Sequence, residues 1–270
     1  MLNSPIGIFD SGIGGISIFK EIKKLLPNID IIYLSDNYNS PYGNKSKKLI
    51  KKLSNKNAEF LIEKGCKLIV VGCNTATTNS INELRLNFKL PFVGVEPAIK
   101  PAANKTKTGC IGVLATKGTL KSGLFYNTTV GHASKINMIE KNAEGLVELI
   151  EKGVFKGKKI ENILMQSLKP MLEKKIDFLV LGCTHYPLVY DTIKSLIPKN
   201  IEVLDSSSAV ARQTKLLIEK NKINFGLNKA KYSFYCTGKT NSLKKILNNK
   251  FVITKAVSYT HLTLPTIVGV

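Results

Sequence analysis

A short motif occurs twice in this sequence, 110 positions apart. Leu68–Cys73 reads LIVVGC, and Phe178–Cys183 reads FLVLGC. A helical segment ending in Glu-Lys precedes each copy, LIEK at 61–64 and MLEK at 171–174. Four consecutive apolar residues are typical of a strand that is buried on both faces of a parallel sheet. We therefore predict two related units, each presenting one cysteine at the carboxyl end of a strand.

The segments around both copies alternate between strands and helices. Ile6–Phe9 is an apolar run that ends in the turn Asp10–Gly15, and apolar residues at helical spacing follow until Pro27. The sequence IGVL at 111–114 resembles IGIF at 6–9. This alternation predicts an α/β fold of two pseudo-symmetric lobes, each a mainly parallel sheet flanked by helices. The active site is expected in the cleft between the lobes, because ligands of such sheets bind at the carboxyl ends of strands.

Composition indicates an ordinary globular protein. Of 270 residues, 43% are hydrophobic and 22% are charged. Since no apolar run is long enough to span a membrane and Met1–Pro5 does not resemble a signal peptide, we expect a cytoplasmic protein without membrane contact. The last fifteen residues, 256–270, carry no charged side chain and form a tail of doubtful origin, so His261 is left out of the functional argument.

The formal net charge of +21 raises the question of nucleic-acid binding. The positive residues are lysines spread along the chain, and the only arginines are Arg85 and Arg212. Arginine is the favoured side chain for bidentate contacts to phosphates and bases. The densest lysine run, Lys45–Lys56, has the pattern of the solvated face of an amphipathic helix. We therefore do not expect a nucleic acid as a partner.

The five cysteines are expected to be free thiols, and no two of them form a C-x-x-C pair. A single buried cysteine is usually structural, which is our interpretation of Cys66, Cys110 and Cys236. Cys73 and Cys183 differ because the repeat places them at equivalent points of two facing lobes. Two thiols on opposite sides of one substrate can invert a stereocentre, one removing a proton and the other returning one. Both precede predicted helices, whose N-termini lower thiol pKa values and can bind carboxylates.

Two further side chains adjoin this pair, and each has a second interpretation. Asp10, at the end of the first strand, could relay a proton or simply cap a helix. His185 could tune Cys183 or be structural. The Asp10–Gly15 loop could instead cradle a phosphate, although it lacks the full dinucleotide fingerprint. A metal site built from Cys73, Cys183, His185 and Asp10 is a further alternative.

Five motifs, in this order, resemble the signatures of the bacterial glutamate racemase family, within the aspartate/glutamate racemase superfamily. They are FDSGIGG at 9–15, PYG at 41–43, GCNTAT at 72–77, GVEPAIKPA at 94–102 and LGCTHYP at 181–187. The resemblance covers about residues 5–251. It implies a cofactor-independent, two-base interconversion of L- and D-glutamate that supplies D-glutamate for peptidoglycan.

The resemblance also implies the site residues and the division of the chain. The implied catalytic residues are Cys73, Cys183, Asp10, His185 and Glu151. The implied substrate contacts are Asp10, Ser11, Tyr42, Gly43, Asn74, Thr75, Thr116, Thr119, Thr184 and His185. Residues 1–97 plus 206–255 are expected to form the first lobe and 98–205 the second. Neither a cofactor nor a metal is implied; glutamate is the expected ligand, and a second copy of the chain is a candidate partner.

Two departures from the family pattern and three alternatives accompany this hypothesis. SDNYNS at 35–40 replaces the usual Gly-Asp segment, and NAEG at 142–145 lacks a common proline, which weakens the assignment of Glu151.

Aspartate or another acidic amino acid is the alternative substrate, because one methylene is a small recognition difference. A non-catalytic two-lobe binding protein, which would not need both cysteines, is the alternative from another class, and nucleic-acid binding is the third.

Overall fold

Strands and helices alternate along the chain in a computed structural model that describes residues 4–133, 136–223 and 229–256. Within these ranges the strands are β1 (Ile6–Asp10), β2 (Ile31–Ser35), β3 (Leu68–Val71), β4 (Phe92–Val93), β5 (Cys110–Ala115), β6 (Asn137–Lys141), β7 (Phe178–Gly182), β8 (Glu202–Leu204), β9 (Tyr232–Cys236) and β10 (Ile253–Lys255). The helices are α1 (Ile16–Leu25), α2 (Lys47–Glu63), α3 (Asn74–Asn87), α4 (Ile99–Lys105), α5 (Lys117–Leu120), α6 (Gly123–Ala133), α7 (Leu146–Glu151), α8 (Lys158–Glu173), α9 (Tyr190–Leu196), α10 (Ser207–Lys220) and α11 (Asn241–Ile246). Apart from Ala256, the predicted tail lies outside the described residues.

The strands form two parallel sheets with the same internal order. The first sheet has the order β10-β9-β2-β1-β3-β4, and the second has the order β6-β5-β7-β8. The stretch β2-β1-β3-β4 therefore corresponds strand by strand to β6-β5-β7-β8. The repeat seen in the sequence extends to the topology, and the predicted α/β fold with two parallel-sheet lobes is confirmed.

The repeated motif gives the same local structure in both lobes. Helices α2 and α8 end at Glu63 and Glu173, 110 positions apart, and each is followed by a turn into β3 or β7. Gly65 makes the first turn with a φ of 84°, and Lys175 makes the second with a φ of 54°. Left-handed backbone after a helix satisfies its last carbonyl groups and reverses the chain. Both strands are buried along their whole length, as the apolar runs predicted.

The last part of the chain adds to the first sheet. Strand β9 pairs with β2 and β10 pairs with β9, while α10 packs against α1. We propose the division into residues 1–97 plus 206–255 and residues 98–205, because this assignment keeps every strand of each sheet in one lobe.

The core is continuous between the lobes. One cluster of buried apolar side chains includes Ile8 and Ile18 beside the first sheet and Leu164 and Leu179 beside the second. Burial of such side chains stabilises the fold by roughly 1.5–3 kcal/mol each. The lobes are thus packed together, which holds the carboxyl ends of their strands against each other. In the described part of the chain, every helix is too short or too polar to cross a membrane.

Candidate active site

Cys73 occupies the N-cap position of α3, directly after β3. Its backbone is extended (φ −124°, ψ 122°), and its Sγ accepts a hydrogen bond from the backbone N–H of Ala76 at 3.4 Å. The Cys73 thiol also donates to the Ser11 hydroxyl at 3.5 Å. The prediction of a helix after this cysteine is confirmed, and the thiol lies among the N–H groups at the start of that helix.

Cys183 has a different local structure. A short 3-10 turn, Tyr186–Val189, follows it, and α9 begins only at Tyr190. The predicted helical segment does follow Cys183, as this 3-10 turn and then α9, but no α-helix begins at the cysteine as α3 does at Cys73. Pro187 suits the start of a tight turn, but the backbone of Val189 (φ −119°, ψ 24°) leaves the helical region and separates the turn from α9. Instead of helical N–H groups, Cys183 has Nδ1 of His185 at 3.7 Å.

Both thiols line one cavity at the junction of the two sheets. This cavity has a volume of about 10 Å³, which is room for about one water molecule, so side chains or lobes must move to admit an amino acid. Twelve residues from both lobes form its wall: Ser11, Pro41, Tyr42, Gly43, Cys73, Asn74, Thr75, Thr116, Val147, Cys183, Thr184 and His185. Ten of these twelve were expected from the sequence; Pro41 and Val147 were not.

Three expected residues lie just behind the cavity wall. Asp10 is fully buried and accepts hydrogen bonds from the backbone N–H of Gly12 at 2.6 Å and from the Thr184 hydroxyl at 3.0 Å. Thr119 lies 3.1 Å from the Thr116 hydroxyl. Glu151 lies 2.5 Å from Nε2 of His185. Each is one hydrogen bond away from a side chain of the cavity wall.

The glycines of the Asp10–Gly15 loop let the second lobe approach the first. A Cβ atom on Gly12 would lie 1.8 Å from Oε1 of Glu151, and one on Gly14 would lie 2.6 Å from Nδ1 of His185. The loop backbone also binds Glu151 directly, because the N–H of Ile13 donates to its carboxylate at 2.7 Å. These glycines therefore allow close contact between the lobes. This contact accounts for the glycines of the loop without a bound phosphate.

Burial and a neighbouring carboxylate perturb the Cys73 thiol. Burial, together with the Asp10 carboxylate, raises the pKa of Cys73 to about 12, although hydrogen bonds with Ser11 and Ala76 oppose this rise. The predicted lowering by the helix N-terminus is outweighed, because a charged thiolate loses its hydration there.

The pKa values of Asp10 and His185, which lie near the thiols, are also shifted. Burial raises the pKa of Asp10 to about 6, opposed by the charge of His185. Burial lowers the pKa of His185, but hydrogen bonds and charge from Cys183 and Glu151 outweigh it and raise that pKa well above its usual value. His185 is therefore held as an imidazolium that donates to both neighbours, whereas Asp10 titrates just below neutral pH.

A hydroxyl cluster spans the two lobes beside the cavity. The Thr75 hydroxyl lies 2.8 Å from that of Thr116 and 3.3 Å from that of Thr119. Such hydroxyls can each donate one hydrogen bond and accept two. In this arrangement the three hydroxyls form hydrogen bonds with one another. Rotation of these hydroxyls would let them donate to a carboxylate.

A buried network that the sequence did not reveal holds Tyr42, which lines the cavity. The Tyr42 hydroxyl donates to Asp36 at 2.5 Å, and Asp36 also accepts from the Thr237 hydroxyl at 2.7 Å. Asn57 donates to the Tyr42 oxygen at 3.1 Å. Asp36 follows the end of β2 as Asp10 ends β1, so its position at a strand end was the available signal.

The metal alternative finds no geometric support in the described residues. Within residues 4–133, 136–223 and 229–256, no three His, Cys, Asp or Glu side chains are grouped closely enough to hold a metal ion. The five cysteines are buried free thiols, as predicted.

Comparison with known proteins agrees with this geometry. The sequence profile of the Asp/Glu/Hydantoin racemase family matches residues 17–214, about three quarters of the chain. The chain belongs to this family. A glutamate racemase from Stutzerimonas stutzeri is 41% identical over 246 residues, which cover 90% of this chain and 92% of that protein. The predicted resemblance is thereby confirmed.

Solved structures from the same family share the whole architecture. Escherichia coli glutamate racemase in complex with L-glutamate and the activator UDP-MurNAc-Ala has a TM-score of 0.83 and 34% identity, covering 93% of this chain and 98% of that one. Francisella tularensis glutamate racemase in complex with D-glutamate has a TM-score of 0.82 and 29% identity, covering 95% and 98%. Both relatives thus bind an enantiomer of glutamate.

Proposed function

We propose that this protein interconverts L- and D-glutamate by a two-base mechanism at Cys73 and Cys183. The observation that carries the proposal is the single small cavity lined by both thiols, one from each lobe. Glutamate is favoured over aspartate as substrate because the relatives compared above are glutamate racemases, two of them with glutamate bound.

The different neighbours of the thiols suggest their roles. Cys73 is held as a thiol, ready to donate a proton. Cys183 lies 3.7 Å from Nδ1 of His185 and is the group on the other side of the cavity that can remove a proton. In one direction Cys183 removes the α-proton from one face of glutamate, and Cys73 delivers its proton to the opposite face. In the reverse direction the roles of the thiols are exchanged.

Supporting residues act through the thiols or hold the substrate. Glu151 keeps His185 oriented and charged, since a carboxylate accepting from one imidazole nitrogen fixes the other. Asp10 orients the Thr184 hydroxyl at the cavity wall. The hydroxyls of Thr75, Thr116 and Thr184, with the amide of Asn74, are suited to bind the substrate carboxylates without arginine.

The proposed role in the cell is supply of D-glutamate for peptidoglycan, in the cytoplasm. Membership of the family supports both the role and the location. A homodimer is the candidate assembly. The chemistry at the cavity depends on neither the role, the location nor the assembly.

The deciding experiment is incubation of the purified protein with L-glutamate in deuterated water without any added cofactor. We expect D-glutamate carrying deuterium at Cα, detected by chiral chromatography and mass spectrometry, because a monoprotic thiol exchanges with solvent between turnovers. Failure to form D-glutamate with folded protein would refute the proposal. Parallel incubation with L-aspartate tests the substrate, for which we expect roughly 10- to 200-fold lower kcat/KM from the missing methylene.

A further inference from the structure

A second, much larger cavity opens between the lobes next to the catalytic one. Its volume is about 790 Å³, within the range of small-molecule sites. The second lobe contributes Glu148, Glu151 and Lys152. The residues from the first lobe are Asn37, Tyr38, Ser40, Pro41, Thr237, Gly238, Lys239, Asn241, Ser242 and Lys255. We refer to this space as the outer cavity.

The outer cavity adjoins the least buried part of the catalytic cavity wall. Ten of the twelve residues that line the catalytic cavity are buried, and the two that are half-buried are Pro41 and Gly43. Pro41 lines both cavities, and Glu151 of the outer cavity is hydrogen-bonded to His185 of the catalytic cavity. A molecule that passes Pro41 therefore moves from the outer cavity toward the thiols.

The charge of the outer cavity is suited to an anion. Lys152, Lys239 and Lys255 are exposed on its wall, and within the described ranges none of them has a carboxylate within 4 Å. Of the two acidic residues on the wall, Glu148 accepts from Asn44 at 3.4 Å across the lobes, and Glu151 is paired with His185. The wall thus carries three lysines and one carboxylate without an ion-pair partner, which gives it a net positive charge.

We propose that the outer cavity is the substrate entrance and that Lys152, Lys239 and Lys255 attract the anionic amino acid into it. Glutamate carries two carboxylates and one ammonium group at neutral pH, so it enters as a monoanion. Clefts lined by one sign of charge raise the local concentration of ligands of the opposite charge and accelerate their association. This inference rests on the proposed function, because it concerns the path of the same substrate.

The test compares two triple variants that change the net charge equally. The entrance variant is Lys152→Gln, Lys239→Gln, Lys255→Gln. The control variant is Lys67→Gln, Lys174→Gln, Lys199→Gln, whose exposed lysines precede β3, β7 and β8 at the opposite edge of the sheets. Each variant lowers the charge by three, so an effect of overall charge would appear in both.

We expect the entrance variant to lose about tenfold in kcat/KM at low ionic strength, mainly through KM, and the control to lose less than about twofold. At about 0.5 M salt the difference is expected to disappear, because the screening length becomes shorter than the cavity. Equal kcat/KM in both variants at low salt, or a loss that salt does not change, would overturn the inference. Absence of racemisation in the wild-type protein would instead refute the proposed function.

Discussion

Cys73 and Cys183 follow equivalent strands, β3 and β7, yet the chain folds differently after each of them. Cys73 caps a fourteen-residue helix, whereas Cys183 is followed by a 3-10 turn and has an imidazole as its neighbour. The first thiol donates to the Ser11 hydroxyl and accepts from the backbone N–H of Ala76, whereas the second lies beside the Glu151–His185 pair. The repeated strand end thus fixes where the two thiols lie, while the side chains that contact each thiol are unrelated.

The strongest test of this comparison is removal of each thiol. Cys73→Ala and Cys183→Ala are each expected to lower the racemisation rate by at least about 10³-fold, because a proton donor or acceptor at the reacting carbon is lost. The rate of D-glutamate formation measures this.

Cys66→Ala and Cys110→Ala provide matched controls. Each removes a buried thiol, one from each lobe, that does not line the catalytic cavity. Both are expected to keep racemising. Retained activity in either variant of the first pair would exclude that thiol from the mechanism.

The second test concerns the carboxylate near the first thiol. Burial raises the pKa of Asp10 from 3.8 to about 6, so the stability supplied by its neutral form is complete below pH 3.8 and is lost as the pH rises through 6. Asp10→Asn lacks this titration. The variant should therefore gain stability relative to the wild type across this range, by about 3 kcal/mol for two pKa units.

Urea unfolding of both proteins from pH 3.5 to pH 7.5 measures this difference. Asp191→Asn, which changes an exposed aspartate in α9, is the control and should leave the pH dependence nearly unchanged. Parallel curves for the wild type and Asp10→Asn would contradict the assigned shift. Reduced racemisation in the more stable variant would illustrate the common conflict between stability and activity.

The third test compares the reactivity of the two thiols directly. At pH 7 iodoacetamide is expected to alkylate Cys73 about tenfold more slowly than Cys183, because burial raises the pKa of Cys73 to about 12 and the thiolate, not the thiol, is the nucleophile. Both thiols line the same cavity and are similarly buried, with 5% and 6% of their surfaces exposed. Mass spectrometry of the modified peptides over time gives the two rates.

His185→Asn is the variant that sharpens this third test. It removes the imidazolium from the neighbourhood of Cys183 and leaves the Cys73 hydrogen bonds in place, so the two rates should converge. Faster modification of Cys73 in the wild-type protein would reverse the assignment of donor and acceptor in the resting state.

The parts of the molecule that the sequence predicted are those fixed by local patterns. Buried strands β3 and β7 follow from their apolar runs, and the ends of α2 and α8 follow from the repeated Glu-Lys segments. The sheets that these elements form, and the family to which the chain belongs, were also predicted correctly.

The features that were missed depend on contacts between distant parts of the chain. Asp36 binds Thr237, 201 positions away, and the role of Gly12 appears only when Glu151 is placed against it. The 3-10 geometry of the segment after Cys183 was not predicted, because the backbone break at Val189 leaves no clear mark in the sequence. The raised pKa of Cys73 requires its burial, which is a property of the packed lobes.

The unequal surroundings of the two thiols have a consequence for kinetics in opposite directions. L- and D-glutamate are mirror images with equal free energies in water, so the equilibrium constant of the proposed reaction is unity. The ratio kcat/KM must then be identical for both enantiomers in the wild type and in every variant. If the unequal surroundings of Cys183 and Cys73 favour one enantiomer, this can appear only as a lower KM for that enantiomer. Its kcat must then be lower by the same factor.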